Sequence, residues 1–290
     1  MSDRIVRALL NNAAVVYAVN STQTASDAQR IHQLGQVATA ALGRTLTMGA
    51  IMGILLKNDE DSVTLNVAGD GPLGAVVVVG KPTGDVKGYV AHPQIELPLR
   101  ADGKLNVGAA VGKGRLGVVK SGIKQPYVGQ VDLQNGEIAQ DFAWYFSTSE
   151  QTPTAVALGV ALGPPYGAVV SSGGLMVQTL PFCDEETLQT IERDMAVMPQ
   201  ISTLVRDMEM EEILSFVFPT AQIDILDTTP IRYQCDCSRE RMERALISLG
   251  EAELTQLIQE DGKADLTCHF CQTQHTFSIE DLQRILLEAK

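Results

Sequence analysis

Four of the chain's five cysteines lie in its last quarter, as Cys235-Asp236-Cys237 and, thirty residues further on, Cys268-His269-Phe270-Cys271. Two close thiol pairs, separated by a spacer long enough for a small folded unit, make one tetrahedral site for a thiophilic ion, with zinc the first choice. The same four sulfurs could instead leave the ion and join as two disulfides between near neighbours. The motif therefore poses a structural and a redox question together.

At 290 residues the chain is long for one core, and composition shows where to divide it. Twenty-three of the 25 glycines fall in residues 1–178. Residues 1–178 hold 13 acids and 13 bases, residues 179–230 hold 11 and 2, and residues 231–290 hold 11 and 7. Most of the net charge of −13 thus belongs to a 52-residue connecting stretch. An acidic chain without a basic stripe is repelled by phosphate backbones, so nucleic acid is not an expected partner. Near the start, Asn11-Asn12 interrupts the apolar run Ala8-Leu9-Leu10 before it reaches signal-peptide length. Residues 151–183 carry no charge, but Gly163-Pro164-Pro165 and Ser171-Ser172-Gly173-Gly174 divide them, which predicts buried strands rather than a membrane span. A cytoplasmic location is expected. In that reducing setting an even cysteine set with metal spacing favours bound zinc over permanent disulfides.

Between Ser26 and Leu56 small and apolar residues recur at helical spacing, through Ala28, Ile31, Leu34, Ala38, Leu42, Leu46 and Ile51. β-rich runs follow at Val63–Ala68, Ala75–Val79, Val86–Ala91, Leu116–Lys120 and Tyr127–Leu133, separated by turns such as Asp70-Gly71 and Asn135-Gly136. Ile138, Phe142, Tyr145 and Phe146 mark a helix, and apolar strands Thr154–Leu162 and Leu175–Leu180 close the region. The fold class is α+β: an N-terminal mixed helix and sheet core at 1–178, a helical linker at 179–230, and a small zinc-binding α+β module at 231–290.

The linker reads as helices cut by Pro199, Pro219 and Pro230, with Met195, Met198, Met208 and Met210 among its apolar positions. Adaptable methionines beside a surplus of like charge predict the least stable part of the chain. A merely solvated acidic face round an ordinary helical core is the alternative. In the module Ser238 is placed to cap a helix through Met242, Leu246 and Leu249. Leu254, Leu257 and Ile258 mark a second helix, ended by Asp261-Gly262. Ala264–Thr267 and Gln274–Phe277 then flank Cys268 and Cys271 as a hairpin, and Ser278 starts a last helix through Leu282, Ile285 and Leu286.

A module this small has little core of its own, and a structural zinc site contributes about 10–16 kcal/mol in comparable metal-dependent peptides. Bridges between neighbours, one of three connectivities open to four cysteines, would close loops of three or four residues and contribute about 1.5–2 kcal/mol at best. Oxidation in that pattern would expel zinc and unfold the module. An inert structural zinc is the plainer alternative. His269 and His275 are candidate ligands of lower rank than the four cysteines. Cys183 has no partner nearby in sequence and reads as a small buried apolar residue.

Other chemistry finds little support. Gly112-Lys113-Gly114-Arg115-Leu116-Gly117 has dinucleotide-loop spacing, yet Val118-Val119 continues as a strand. Gly74 to Gly80-Lys81 is too long for a phosphate loop, and Pro82 stands where Ser or Thr is needed. No Ser-His-Asp or paired-carboxylate set can be singled out, and His32 and His92 stand apart from any nucleophile, so no enzyme is expected. A thiol oxidoreductase using Cys268 and Cys271 is the alternative function, although such a pair normally sits at a helix N-terminus.

The residues also resemble a known family along the whole chain, the heat shock protein 33 family of redox-regulated holdase chaperones. The Cys-x-Cys and Cys-x-x-Cys pairs are the most specific part of the likeness. Gly71-Pro72-Leu73, Lys87-Gly88-Tyr89, Gly129-Gln-Val-Asp-Leu133, Ser149-Glu-Gln151 and Gly173-Gly-Leu-Met-Val-Gln178 strengthen it. The resemblance implies one zinc ion on Cys235, Cys237, Cys268 and Cys271 in an inactive reduced form. It implies loss of that ion under oxidative stress, pairing of Cys235 with Cys237 and of Cys268 with Cys271, and unfolding of module and linker to bare apolar surface. It further implies a homodimer that binds unfolding client proteins without ATP.

Overall fold

Asn11 and Asn12 both take left-handed backbone angles, φ 51° and 52°, which asparagine tolerates, and the Ala13 amide closes the turn on the Leu10 carbonyl at 2.8 Å. This turn joins β1 (Arg4–Leu10) to β2 (Ala14–Asn20) with Leu10 opposite Ala14. The computed structural model describes residues 2–122, 126–164 and 167–288. Pro165, part of the break expected after Gly163, lies outside the described residues. The chain forms two compact units, Met1–Gln234 and Cys235–Lys290.

In the first unit α1 (Thr22–His32) precedes α2 (Gln36–Ile54), which is buried along nearly its whole length. By length and mean hydropathy α2 could cross a membrane, but 89% of that window is buried inside the protein, as befits a core helix. Two of its glycines let sheets approach from opposite sides. A Cβ at Gly49 would stand 2.4 Å from Val78, and one at Gly43 2.8 Å from Val160. Val78 belongs to β4 of a meander made of β3 (Ser62–Gly69), β4 (Ala75–Gly80) and β5 (Asp85–Val90). After the short helix α3 (Val107–Val111), β6 (Gly114–Ser121) and β7 (Tyr127–Asp132) extend that sheet beyond β3. The two phosphate-loop lookalikes therefore fall on β6 and β4, and neither opens a helix.

Helix α4 (Ala139–Thr148) buries Phe142, Tyr145 and Phe146, and β8 (Thr154–Gly163) and β9 (Ala168–Thr179) pair as an antiparallel ribbon. Strand β9 lies on β2, so one sheet is built from both ends of the unit. Its two faces are both covered. Ile5, Tyr17 and Val19 join the core around α2, while Val6, Ala8, Leu10 and Val16 face the linker helices.

Those linker helices are α5 (Glu185–Val197), α6 (Ile201–Asp207) and α7 (Met210–Val217). Ile201, Leu204, Ile213, Leu214 and Phe218 are buried against the sheet, with Met195, Met198 and Met208 partly so. The helical pattern stops there. Ile223–Pro230 forms β10, antiparallel to β1 through seven residue pairs, where the sequence alone predicts helix. The β-branched residues Ile223, Ile225, Thr228 and Thr229 suit a strand, and the free edge of β1 supplies the partner that local periodicity cannot reveal. Two residues further on, β11 (Arg232–Tyr233) pairs parallel to β5. The five-stranded sheet thus runs β10-β1-β2-β9-β8, and the six-stranded one β11-β5-β4-β3-β6-β7.

Cys183 departs from its expected burial. It lies in the turn after β9, partly exposed, with Sγ 3.5 Å from the Asp184 carbonyl oxygen. A sharp turn before an acidic helix start leaves no apolar niche for it.

The second unit contains α8 (Arg239–Ile247), α9 (Glu251–Glu260), the hairpin β12 (Ala264–Thr267) and β13 (Gln274–Phe277), and α10 (Ile279–Glu288). Leu246, Leu254, Ala264, Phe277, Leu282 and Ile285 make its buried core. Six side chains are few for an independent fold.

Candidate metal centre

The two cysteine pairs are carried by irregular backbone that the neighbouring elements hold in shape. Cys235-Asp236-Cys237 is an extended link, fixed at its far end where Ser238 caps α8. The Arg241 guanidinium folds back from the first turn of α8 to pair with the Asp236 carboxylate at 2.8 Å and to reach the Asp236 carbonyl at 3.3 Å. Cys268 and Cys271 sit in the turn of the β12–β13 hairpin, whose last registered pair is Thr267 with Gln274. There the Gln272 amide donates to Cys268 O at 2.8 Å and the Cys268 amide to Thr273 O at 2.9 Å. This closure demands a left-handed residue, and Gln272 supplies it at φ 59°.

These two supports bring all four sulfurs within 4.8 Å of one another. Cys235 Sγ is 3.7 Å from Cys268 Sγ, and Cys237 Sγ is 3.3 Å from Cys271 Sγ. A tetrahedron with arms of about 2.3 Å, the usual zinc–thiolate length, has edges of about 3.8 Å, so the spacing suits such an ion and is far from any disulfide bond. All five cysteines are free thiols. The donor set could hold a metal ion, and four sulfurs select a soft or borderline one.

Four thiols so close cannot all ionise without a cation among them. Burial, together with the neighbouring sulfurs of Cys271, Cys235 and Cys268, pushes the Cys237 thiol well above its ordinary range. Burial also opposes ionisation of Cys271, but hydrogen bonds from the Thr273 hydroxyl and amide and from Cys237 and Cys268 outweigh it and hold that thiol down at about 7. Of these two thiols Cys271 is the more readily ionised. A divalent cation would favour the thiolate at both.

The cluster contains cysteines alone. His275 Nε2 lies 3.9 Å from Cys237 Sγ, a position from which the ring supports a ligand instead of acting as one. In the first unit His92 bonds the Pro72 carbonyl through Nδ1 at 2.9 Å. Sequence reasoning missed Thr273, whose Oγ1 lies 3.2 Å from Cys271 Sγ. Its place two residues beyond the second cysteine of a tight turn was the available signal. Arg239 braces the site from behind, with its guanidinium 4.3 Å from the Phe277 ring centroid and bonds of 2.7 Å to Thr276 O and to Asp281.

The chain is similar to known proteins along nearly its whole length. Residues 3–278 match the family described as Hsp33 protein. The chain is 45% identical over 289 residues to the 33 kDa chaperonin of Desulforamulus reducens, covering 99% of this chain and 98% of that one. It is 43% identical to the 33 kDa chaperonin of Acetivibrio thermocellus, with 99% and 97% covered. The crystal structure of the 33 kDa chaperonin from Thermotoga maritima is similar at a TM-score of 0.91 and 34% identity, over 99% of both chains.

Proposed function

Because the chain belongs to the Hsp33 protein family, whose curated relatives are named as chaperonins, we propose that it is a redox-regulated, ATP-independent holdase. The observation that carries this reading is the gathering of four sulfurs from two close pairs into one cluster. In the reduced, inactive form Cys235, Cys237, Cys268 and Cys271 hold one zinc ion. That ion, when bound, supplies the single strong cross-link of a module whose apolar core is six buried side chains among the described residues.

Oxidation joins Cys235 to Cys237 and Cys268 to Cys271. Each pair of thiolates gives two electrons to one peroxide molecule, which takes up two protons from solvent and leaves as two waters while the sulfur–sulfur bond forms, so two peroxides consume all four donors. Each bridge closes a loop of only three or four residues and stabilises by about 1.5–2 kcal/mol, far short of what the lost coordination contributed. The module at 231–290 therefore unfolds. The linker at 179–230 follows, and the sheet face it covers through Val6, Ala8, Leu10 and Val16 becomes available to unfolding clients. The core at 1–178 binds those clients as a homodimer in the cytoplasm, with no nucleic acid, membrane or catalytic turnover involved.

Zinc content, free thiols and suppression of client aggregation, measured before and after peroxide, test the reading. Release of about one zinc with loss of four thiols and onset of holdase activity is expected. Full zinc retention with unchanged activity would overturn it in favour of a redox-inert zinc-stabilised binding protein. The contacts of Cys271 Sγ with Thr273 Oγ1 at 3.2 Å and Cys237 Sγ at 3.3 Å, which hold that thiol down, favour a second reading, a thiol–disulfide oxidoreductase using Cys268 and Cys271. Replacing Cys235 separates the two, since an oxidoreductase would keep turning over a disulfide substrate.

A further inference from the structure

The outer edge of β5 is closed by three residues that stand immediately before the first cysteine. Strand β11 pairs Arg232 with Asp85 and Tyr233 with Val86. The Arg232 amide donates to Gly84 O at 3.3 Å, the Gln234 amide to Val86 O at 2.9 Å, and the Arg232 guanidinium to Asp85 Oδ1 at 2.7 Å. Beyond that point a side chain takes over from backbone. Tyr233 Oη donates to Gly88 O at 2.7 Å and accepts the Gly88 amide at 3.3 Å. Residues 232–234 thus occupy outward-facing groups of Gly84, Val86 and Gly88.

This closure is slight. Strand β10 is held to β1 by seven residue pairs and the Arg7–Asp227 ion pair, whereas β11 has two pairs, the Arg232–Asp85 ion pair and the Tyr233 hydroxyl, which also meets His32 Nε2 at 3.0 Å. The segment is ordered from upstream by β10 and from downstream by Cys235, one residue after Gln234. Once Cys235 leaves the four-sulfur cluster, the cost of ordering residues 232–234 falls on two residue pairs, the Arg232–Asp85 ion pair and the Tyr233 ring with its bonds to Gly88 and His32. Their departure converts β5 into an open sheet edge, a row of unpaired amides and carbonyls that templates a further strand.

Resting on the holdase reading above, the geometry points to the outer edge of β5 as a client-docking surface, where an extended segment of an unfolding polypeptide replaces residues 232–234 and adds as a strand along Gly84–Val90. Strand addition recognises backbone first, so it accepts many sequences, as a holdase must. It also selects for the unfolded state, because a native protein rarely offers a free extended segment.

Amide exchange on the full-length protein tests this, with reduced, carboxymethylated α-lactalbumin as the unfolded probe. Oxidation should speed exchange in residues 84–90 by about tenfold or more, and binding of the probe should restore most of the protection. Tyr233→Phe, which deletes the hydroxyl facing Gly88 and keeps the ring, should speed exchange there already in the reduced protein with zinc content unchanged. Residues 84–90 that stay protected after oxidation, or a Tyr233→Phe protein that exchanges like the parent, would overturn the proposal. A stable probe complex in which 84–90 still exchange freely would overturn this surface alone. Failure to form any complex would sink the holdase reading and this surface with it.

Discussion

Ser238 Oγ stands 3.3 Å from the Arg241 amide and accepts it, so the cap of α8 follows Cys237 directly and the helix begins at Arg239. The cap fixes the direction in which the Cys235–Cys237 link leaves the cluster. Ser238→Ala should cost about 0.5–2 kcal/mol of helix stability and speed zinc loss to a chelator several-fold, while Ser238→Asp should retain the parent rate. Equal rates for all three proteins would show that the cap does not hold the site.

Leu254 is fully buried in a core of six side chains. Leu254→Ala should cost about 2–5 kcal/mol, which a module this small cannot absorb. Client capture should then begin at lower peroxide and without heating. An unchanged peroxide threshold in an aggregation assay would contradict the link between module stability and activation.

The module's elements were legible because each is specified locally. Ser238 is a cap by residue type, Asp261-Gly262 stops α9, and Ala264–Thr267 faces Gln274–Phe277 in the register that the cysteine turn requires. The gathering of Cys235, Cys237, Cys268 and Cys271 was legible for the same reason: spacing alone puts sulfurs at two turns. The first hairpin left a signal that went unread, since Asn11-Asn12 is a pair suited to two left-handed angles. Strands β10 and β11 had no such signal. Ile223–Pro230 follows three helices and pairs with residues more than two hundred positions earlier, and Arg232–Tyr233 is too short for any periodicity. The partial exposure of Cys183 was equally hidden, because burial of one cysteine depends on a turn's surroundings.

Cys271, held down at about 7, and Cys237, pushed up, give metal binding a defined pH dependence. Coordination requires thiolates, so binding releases any proton a ligand carries. Above about 7 Cys271 has already lost its proton and contributes none. Below about 7 it is protonated and must release one, while Cys237 carries a proton to lose on both sides. Zinc affinity should therefore fall as pH falls throughout, and fall more steeply below about pH 7 by roughly one further power of ten per unit. Chelator competition between pH 6 and 8 measures both slopes, and a single slope across the range would contradict the assignment to Cys271.

Charge in the linker sets a last expectation. Its 11 acids face only Arg193 and Arg206 from within residues 179–230, and each of those bases pairs with the acid next to it, Asp194 and Asp207. From the core, Arg4 reaches Glu209 and Glu211 at 3.0 and 2.7 Å and pins the start of α7. Salt weakens both the repulsion among the acids and these attractions, but the acids far outnumber their partners. Shortening the screening length from about 10 Å at 0.1 M to about 3 Å at 1 M should therefore stabilise α5–α7 on balance and raise the temperature at which oxidised protein begins to capture clients. Amide exchange across residues 185–217 should slow in parallel. Faster exchange at high salt would mean that the Arg4 pairs outweigh the repulsion, and Arg4→Ala should then erase the salt effect.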